Sequence, residues 1–296
     1  MINPKFDQFS KKQTCLFGAM MGDALGVPFE FKKAKDIPTS YITHPLSIPF
    51  LYKTYRDTPF GVYSDDFSQS LCVEQCINDD TLNFGQELLL WMDGKYWVDN
   101  NLFDIGVQTA SALYYYKKYE TILHKEKGSG NGGIMRLAPV AFAHGIDHNW
   151  DMYVDLIIRY SEITHNNKEC LNAAVFYCTL LGYLKYGTPD KEFNHYWKKT
   201  ETQCGWTTEN KNVNLGSGYV IDTLLSIKHC MNNSTDYTSA IIQAILLGND
   251  TDTTATCVGA VAALYYGLKG IPDEWIEYIQ PSLKNEYVQQ LFKDVL

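Results

Sequence analysis

The chain has 296 residues and carries 25 Lys and Arg against 34 Asp and Glu, which gives a net charge of −9 at pH 7. This acidic balance argues against a general nucleic-acid binder, because phosphate contacts require clustered cationic side chains. Hydrophobic residues make up 45% of the chain and charged residues 20%, a composition that argues against disorder and suffices for a substantial buried core.

A helical period near 3.6 residues runs through most of the chain, whereas the strict alternation typical of strands is rare. We therefore predict an all-α protein. The segments with the clearest period are Thr14–Gly26, Ile105–Tyr119, Met152–Ile163, Leu171–Tyr186, Gly218–Cys230, Ala240–Leu247 and Thr253–Leu268.

Two segments interrupt this period. Residues 34–62 contain four prolines and are predicted to be irregular, as functional loops or lids often are. Residues 199–216 are polar, contain two glycines and are predicted to form a surface loop. Neither segment marks a domain boundary, so we predict one domain over residues 1–296.

Cysteine usage and hydropathy favour a cytoplasmic protein. The eight cysteines never form a CxxC pair, so no structural zinc site is predicted, and reduced thiols are the simpler interpretation. The longest mainly apolar run, Ala255–Leu268, is too short to span a bilayer. An N-terminal run that faintly resembles a signal peptide is interrupted by Asp23.

The first carboxylate cluster lies in residues 63–69, which read Tyr-Ser-Asp-Asp-Phe-Ser-Gln. Ser64 is typical of a helix N-cap, and the helix dipole favours Asp65 and Asp66 in the first turn. Taken alone, this pattern predicts the start of a helix rather than a binding site.

The second carboxylate cluster lies in residues 248–256, which read Gly-Asn-Asp-Thr-Asp-Thr-Thr-Ala-Thr. Its two aspartates and the hydroxyls at positions 251, 253 and 254 offer more oxygen ligands than a helix cap requires, and Mg²⁺ or Mn²⁺ prefers such ligands. The helix that follows presents Ala255, Gly259 and Ala263 at four-residue steps, a face small enough for close helix packing. The segment predicts a cation site at the start of that helix, with capping alone as the alternative.

A glycine-rich segment lies in residues 128–139, which read Gly-Ser-Gly-Asn-Gly-Gly-Ile-Met-Arg-Leu-Ala-Pro. Glycines allow close approach of a ligand to the backbone, and consecutive N–H groups can form an anion-binding nest. The order matches neither the Walker A loop nor the Rossmann fingerprint. A glycine turn without a ligand is the alternative.

Taken together and in order, these segments and four others resemble the ADP-ribosylglycohydrolase family, which includes dinitrogenase-reductase-activating glycohydrolase. The resemblance covers nearly the whole chain, and its ordered matches are more specific together than any one alone. The matching segments are Gly18–Phe31, Ser64–Asp66, Phe103–Gly106, Asn131–Arg136, Thr164–His165, Ser217–Leu224 and Gly248–Thr253.

The resemblance implies a single compact multi-helix orthogonal bundle with a dinuclear metal cleft that binds two Mg²⁺ ions, Mn²⁺ being the alternative. The implied metal ligands are Ser64, Asp65, Asp66, Asp250, Asp252 and Thr253. The ADP-ribose pocket would be lined by Asn131, Gly132, Gly133, His165 and Tyr219. A purely structural histidine and ordinary core packing are the alternatives for His165 and Tyr219.

Three positions depart from the family's usual pattern. Phe67 stands where a threonine is usual, Asn249 where a glycine is usual, and Gly128 where some members carry an acid. None of these departures removes an implied metal ligand, but they leave the linkage specificity open.

The implied reaction is hydrolysis of the glycosidic bond between ADP-ribose and a protein side chain or other acceptor. Its oxocarbenium-like transition state requires an activated water. Glu30 is expected to orient or deprotonate that water, with Asp65 or Asp66 as the alternative catalytic residue. The expected substrate is an ADP-ribosylated protein or other acceptor and the expected product is free ADP-ribose, with no membrane or nucleic-acid partner.

Two other functions remain as alternatives. A non-catalytic ADP-ribose-binding module would keep the pocket but lack turnover, and a metal-dependent nucleotide phosphohydrolase would release phosphate. Bacterial members of the family can protect against ADP-ribosylating toxins.

Overall fold

Helices carry the fold in this computed structural model, which describes residues 1–49, 52–54, 57–124, 128–143, 149–187, 191–208 and 212–296. Short 3₁₀ turns and two isolated β-bridges join the helices, and no strand occurs in these ranges. The all-α prediction is confirmed. The helices are α1 (Lys11–Gly26), α2 (Thr39–Thr43), α3 (Asp65–Asn78), α4 (Phe84–Met92), α5 (Val107–Tyr119), α6 (Val140–Ala143), α7 (Trp150–Ser161), α8 (Lys168–Lys185), α9 (Phe193–Cys204), α10 (Val220–Asn232), α11 (Tyr237–Leu246), α12 (Thr251–Tyr266), α13 (Asp273–Tyr278), α14 (Gln280–Leu283) and α15 (Glu286–Leu291).

The predicted helices are all present, with ends shifted by at most three residues. The start of α3 also follows the prediction, because Ser64 is its N-cap and the Ser64 side chain accepts a hydrogen bond from the Asp66 backbone N–H. Local capping chemistry therefore determines where this helix begins.

The prediction of a surface loop over residues 199–216 is wrong in its first part, because α9 continues to Cys204. Thr200 and Glu201 are polar yet buried. The Thr200 hydroxyl donates to the Tyr196 carbonyl, and Trp197 Nε1 donates to Glu201 Oε1. These bonds satisfy polar groups inside the core, so polarity did not mean exposure here.

Residues 34–62 are irregular as predicted, apart from α2 and short 3₁₀ turns. Residues 50, 51, 55 and 56 of this segment lie outside the described part of the chain, as do residues 209–211 of the other predicted loop.

Helices α1 and α12 pack with their backbones almost in contact. Gly18, Gly22 and Gly26 recur at four-residue steps along α1. A Cβ added at Gly22 would lie 2.1 Å from the Ala255 carbonyl oxygen, and one added at Gly26 would lie 2.5 Å from Asp252 Cα. Only glycine permits this approach, which brings the C-terminal end of α1 against the first turn of α12.

The small face predicted for α12 forms this contact. A Cβ added at Gly18 would lie 2.4 Å from Ala263 Cβ and 2.5 Å from the Gly259 carbonyl oxygen. The close packing expected from these small residues is therefore confirmed. Although α12 is largely buried and apolar, none of the helices in the described ranges combines the length and hydropathy needed to cross a membrane.

We predict that Gly22→Ala lowers the free energy of unfolding by about 1–3 kcal/mol, the usual cost of overpacking. In an unconstrained helix the same change normally stabilises by about 1 kcal/mol, so the sign of the effect is diagnostic. The methyl group would meet a backbone carbonyl that cannot rotate away.

Urea unfolding measures this effect. Gly106→Ala is the control, because a Cβ added there meets only Thr109 Oγ1, at 3.8 Å. Wild-type stability in Gly22→Ala would contradict the close packing of α1 and α12.

Candidate active site

Asp23 of α1 holds the start of α3. Its Oδ1 accepts a hydrogen bond from the Ser64 backbone N–H and its Oδ2 accepts one from the Phe67 backbone N–H, both at 2.9 Å. Two N–H groups that a helix start leaves unpaired are thus satisfied from a different helix. This contact fixes Asp65 and Asp66 relative to α1 and α12.

Carboxylates from four parts of the chain converge at the start of α12. Asp23, Asp66 and Asp252 each bring an oxygen within 4.8 Å of the others, and so do Glu30, Asp104 and Asp252. Asp252 belongs to both groups, so the arrangement is able to hold one cation or two that share its carboxylate. Oxygen donor sets of this kind suit hard divalent cations.

The electrostatics of the cluster disfavour the fully charged state. Burial, followed by repulsion from neighbouring carboxylates, holds the pKa of Asp65, Asp66 and Asp252 well above the usual aspartate range. Burial also raises the pKa of Asp23 to about 7, although its two backbone hydrogen bonds act in the opposite direction. A bound cation would relieve this buried negative charge.

Two oxygens of the cluster have no hydrogen-bond partner among the described residues. They are Asp66 Oδ1 and Asp252 Oδ1, both buried. An unpaired buried acceptor costs roughly 1–3 kcal/mol, and more when it is charged. The donor set and its unsatisfied oxygens therefore fit a metal ion.

A cavity of about 530 Å³ opens at these carboxylates and brings most of the predicted site residues together. Of the other predicted residues, Ser64 and Asp66 are fully buried and are absent from the cavity wall, as are Gly133 and Tyr219. The predicted residues in the wall are Glu30, Asp65, Asn131, Gly132, His165, Asp250, Asp252 and Thr253.

The glycine-rich segment forms part of the cavity wall and pairs with the chain just before α10. The Asn131 backbone N–H donates to the Gly218 carbonyl at 3.1 Å, and the Val220 N–H donates to the Ser129 carbonyl at 2.9 Å. Two segments that lie some 90 positions apart are thereby fixed side by side.

The Asn131 side chain joins this wall to the second carboxylate cluster. Its Nδ2 donates to Asp250 Oδ2 at 2.7 Å and to Thr223 Oγ1 at 3.0 Å. The amide therefore orients one carboxylate oxygen of Asp250, a role that the sequence did not reveal.

His165 packs directly on Gly132 and Gly133, whereas the Tyr219 hydroxyl is hydrogen-bonded to Glu169. A Cβ added at Gly132 would lie 2.8 Å from His165 Cε1, and one added at Gly133 would lie 2.8 Å from His165 Cβ. The Tyr219 hydroxyl donates to Glu169 Oε1 at 2.7 Å. The histidine thus explains why side chains are excluded at both glycines.

Sequence reasoning missed Asp23 and Asp104 as site residues. Asp23 sits within the buried run Cys15–Gly26, and an acid in such a run is rare unless it is paired. The position of Asp23 in an otherwise apolar run could therefore have identified it from the sequence. Asp104 lies in the resembling segment Phe103–Gly106, but nothing local distinguishes it from a loop aspartate.

The structure accommodates the three departures from the family pattern. Phe67 bonds to Asp23 through its backbone, while its ring packs on Tyr63 with centroids 5.4 Å apart. Asn249 has φ 59°, a left-handed conformation that asparagine tolerates in place of glycine. Gly128 has φ 107°, which an acidic side chain would adopt only with strain.

Comparisons with known proteins show the family and the fold of this chain. The ADP-ribosylglycohydrolase family profile matches residues 5–296. ADP-ribosylarginine hydrolase Tri1 of Pseudomonas putida is 28% identical over 95% of this chain and 76% of its own length. The ADP-ribosyl-dinitrogen reductase glycohydrolase of Rhodospirillum rubrum is 24% identical over 93% of this chain and 92% of its own. A solved ADP-ribosylglycohydrolase-related protein complex has the same fold, with a TM-score of 0.76, 24% identity and 96% of both chains covered. The chain belongs to the ADP-ribosylglycohydrolase family.

Proposed function

We propose that this protein is a Mg²⁺-dependent hydrolase that cleaves the glycosidic bond between ADP-ribose and a protein side chain or other acceptor, and so reverses ADP-ribosylation. The position of Asp252 carries the proposal. Its carboxylate belongs to two groups of acids and lines a cavity whose wall also includes residues of the glycine-rich segment. The names of the relatives, an ADP-ribosylarginine hydrolase and an ADP-ribosyl-dinitrogen reductase glycohydrolase, support the same reaction.

Two divalent cations, Mg²⁺ or alternatively Mn²⁺, are proposed to bind at this cluster. Asp104 joins the ligands because its carboxylate lies within reach of Asp252, whereas Asp23 is assigned to holding α3, since both of its oxygens accept backbone N–H groups. When bound, such cations polarise ribose hydroxyls and acidify a water molecule. The other proposed ligands are Ser64, Asp65, Asp66, Asp250, Asp252 and Thr253.

Glu30 is the proposed general base. It follows the 3₁₀ turn Val27–Phe29 at the end of α1, lines the cavity, and is only 8% exposed. A carboxylate in this position can orient a water and accept its proton as the glycosidic bond breaks. Asp65, which also lines the cavity, is the alternative, and Asp66 is less suited because it lies outside the cavity wall.

The rest of the substrate is proposed to lie along the glycine-rich part of the cavity wall. Close approach to the backbone at Asn131 and Gly132, which line the cavity, suits the diphosphate, with His165 beside it. Gly133 lies outside the cavity wall and leaves room for the His165 side chain. The adenosine is proposed to lie near Tyr219, where the hydroxyl would have to share or exchange its bond to Glu169.

The cellular setting is proposed to be the cytoplasm. All eight cysteines, each in a described segment, are free thiols, as a reducing compartment favours. The substrate would be an ADP-ribosylated protein or other acceptor, with free ADP-ribose as the product. Protection against an ADP-ribosylating toxin is one setting for this reaction.

Incubation with a panel of ADP-ribosylated acceptors and Mg²⁺, followed by mass spectrometry, tests the proposal directly. Release of free ADP-ribose supports it. Release of phosphate would favour a nucleotide phosphohydrolase. Binding of ADP-ribose without hydrolysis of any acceptor would favour a non-catalytic ADP-ribose-binding module.

We predict that Mg²⁺ stabilises the protein, and does so more strongly at neutral than at acidic pH. Without a cation, the stability contributed by Asp23 is complete below the unperturbed pKa of 3.8 and is lost as the pH rises towards about 7. A cation at hundredfold excess over its Kd should restore about 2.7 kcal/mol at neutral pH. The gain should shrink near pH 5, where the cation must displace protons.

Thermal unfolding with and without Mg²⁺ measures this gain. Asp252→Asn should abolish it, whereas Asp294→Asn, an exposed aspartate outside the cavity wall, should retain it. If Mg²⁺ stabilises Asp252→Asn as much as the wild type, the metal assignment is wrong.

We predict that Glu30→Gln slows the chemical step by about 10²-fold or more, the usual worth of a positioned base, while ADP-ribose and Mg²⁺ affinity are preserved. The amide keeps the shape of the side chain but cannot accept the proton. Single-turnover kinetics measures the rate, and calorimetry measures the affinities.

Glu277→Gln, the same change at an exposed position of α13, is the control and should keep the wild-type rate. An unchanged rate in Glu30→Gln would remove Glu30 from the mechanism.

A further inference from the structure

Arg136 places a guanidinium group in the core behind the cavity. The side chain is fully buried and makes no ion pair with a described residue. Its hydrogen bonds go to neutral acceptors, and burial lowers its pKa to about 10, so it stays charged at neutral pH. A buried charge paired only with neutral groups is costly compared with an apolar side chain. The hydrogen bonds of the guanidinium lead to two residues of the cavity.

One arm of the guanidinium leads to His165. Arg136 Nη2 donates to Thr164 Oγ1 at 2.6 Å, so this hydroxyl acts as an acceptor there. Thr164 Oγ1 also lies 2.8 Å from His165 Nδ1. A buried hydroxyl needs an acceptor for its own hydrogen, and among the described residues the acceptor in hydrogen-bond range of Thr164 Oγ1 is His165 Nδ1. Nδ1 is then unprotonated, and the ring hydrogen of the neutral imidazole is on Nε2.

Nε2 is the ring nitrogen close to the glycine-rich wall. A Cβ added at Gly132 would lie 3.2 Å from it, and one added at Gly130 would lie 3.3 Å from it. All three residues line the cavity. A histidine protonated at Nε2 therefore presents a donor where a ligand would approach the glycines.

A second arm of the guanidinium leads to the carboxylates. Arg136 Nη1 donates to Gln69 Oε1 at 2.7 Å, which fixes which end of the amide is the acceptor. Gln69 Nε2 is then directed to Asp65 Oδ2, 3.5 Å away. The same guanidinium thus reaches two cavity-lining residues, His165 and Asp65, each through one neutral side chain.

We propose that Arg136 is a positioning residue that, through Thr164, locks His165 as the tautomer protonated at Nε2, so that it donates a hydrogen bond to the diphosphate of the bound nucleotide sugar. Through Gln69 it also orients Asp65. The identity of the ligand rests on the proposed function, but the tautomer does not. A purely structural arginine would hold the core together without setting the protonation of His165.

The main test is nitrogen-15 NMR of histidine-labelled protein, with the His165 signals assigned from His165→Asn. In the wild type, without ligand, the Nδ1 resonance should have the shift of an unprotonated imidazole nitrogen and Nε2 that of a protonated one. Thr164→Val removes the donor to Nδ1 at nearly constant volume and should give a mixture of tautomers. Thr164→Ser keeps the hydroxyl and should retain the wild-type pattern.

Calorimetry with ADP-ribose gives an independent measurement. Thr164→Val should raise the Kd about tenfold, as expected for one hydrogen bond to a charged group, whereas Thr164→Ser should stay within about twofold of the wild type. Arg136→Lys should resemble Thr164→Val in both measurements. Because Arg136→Lys can also fail to fold, which circular dichroism reports, the Thr164 pair decides the outcome.

A wild-type His165 protonated at Nδ1, or equal behaviour of the valine and serine variants, would overturn the proposal. The expected tautomer pattern combined with no hydrolysis of any acceptor would leave the positioning role supported and would reject the proposed enzymatic function instead.

Discussion

Helices α1 and α12 approach so closely that a methyl group has no room at Gly22 or Gly26. This contact determines the position of the carboxylate cluster. Asp23 lies in the last turn of α1 and Glu30 lies just beyond that helix. The contact brings both acids close to Asp252 in the first turn of α12. Larger residues would keep the two backbones farther apart, and the carboxylates would no longer share one space.

The same contact concentrates negative charge in a buried region, where proteins normally avoid unpaired charge. Two features of the chain oppose that cost. The carboxylate of Asp23 satisfies two backbone N–H groups of α3, and the Arg136 guanidinium lies close enough for the charge of Asp65 to raise its pKa. The unpartnered oxygens of Asp66 and Asp252 remain, and they make the site better suited to a cation than to an empty core.

The loops of the cavity are fixed by backbone bonds between distant segments rather than by regular secondary structure. The Asp250 N–H donates to the Gly216 carbonyl, and the Asn249 N–H donates to the Lys32 carbonyl. Together with the pairing of the glycine-rich segment, these bonds connect the loops of the cavity to the ends of long helices. A site built in this way can hold its polar groups in place while the helices supply the stability.

The sequence by itself determined the features that depend on neighbouring residues. The helical period located the long helices, Ser64 marked the start of α3, and the small residues of α12 indicated close packing, because these signals act over one or two turns. Whether a residue is brought to a distant partner is a property of the whole packing. Only the tertiary structure showed that Asp23 caps α3, that Asp104 joins Glu30 and Asp252, and that Asn131 orients Asp250. It also decided that polar Thr200 and Glu201 are buried, since the burial of these positions depends on how α9 packs against α8 and α10.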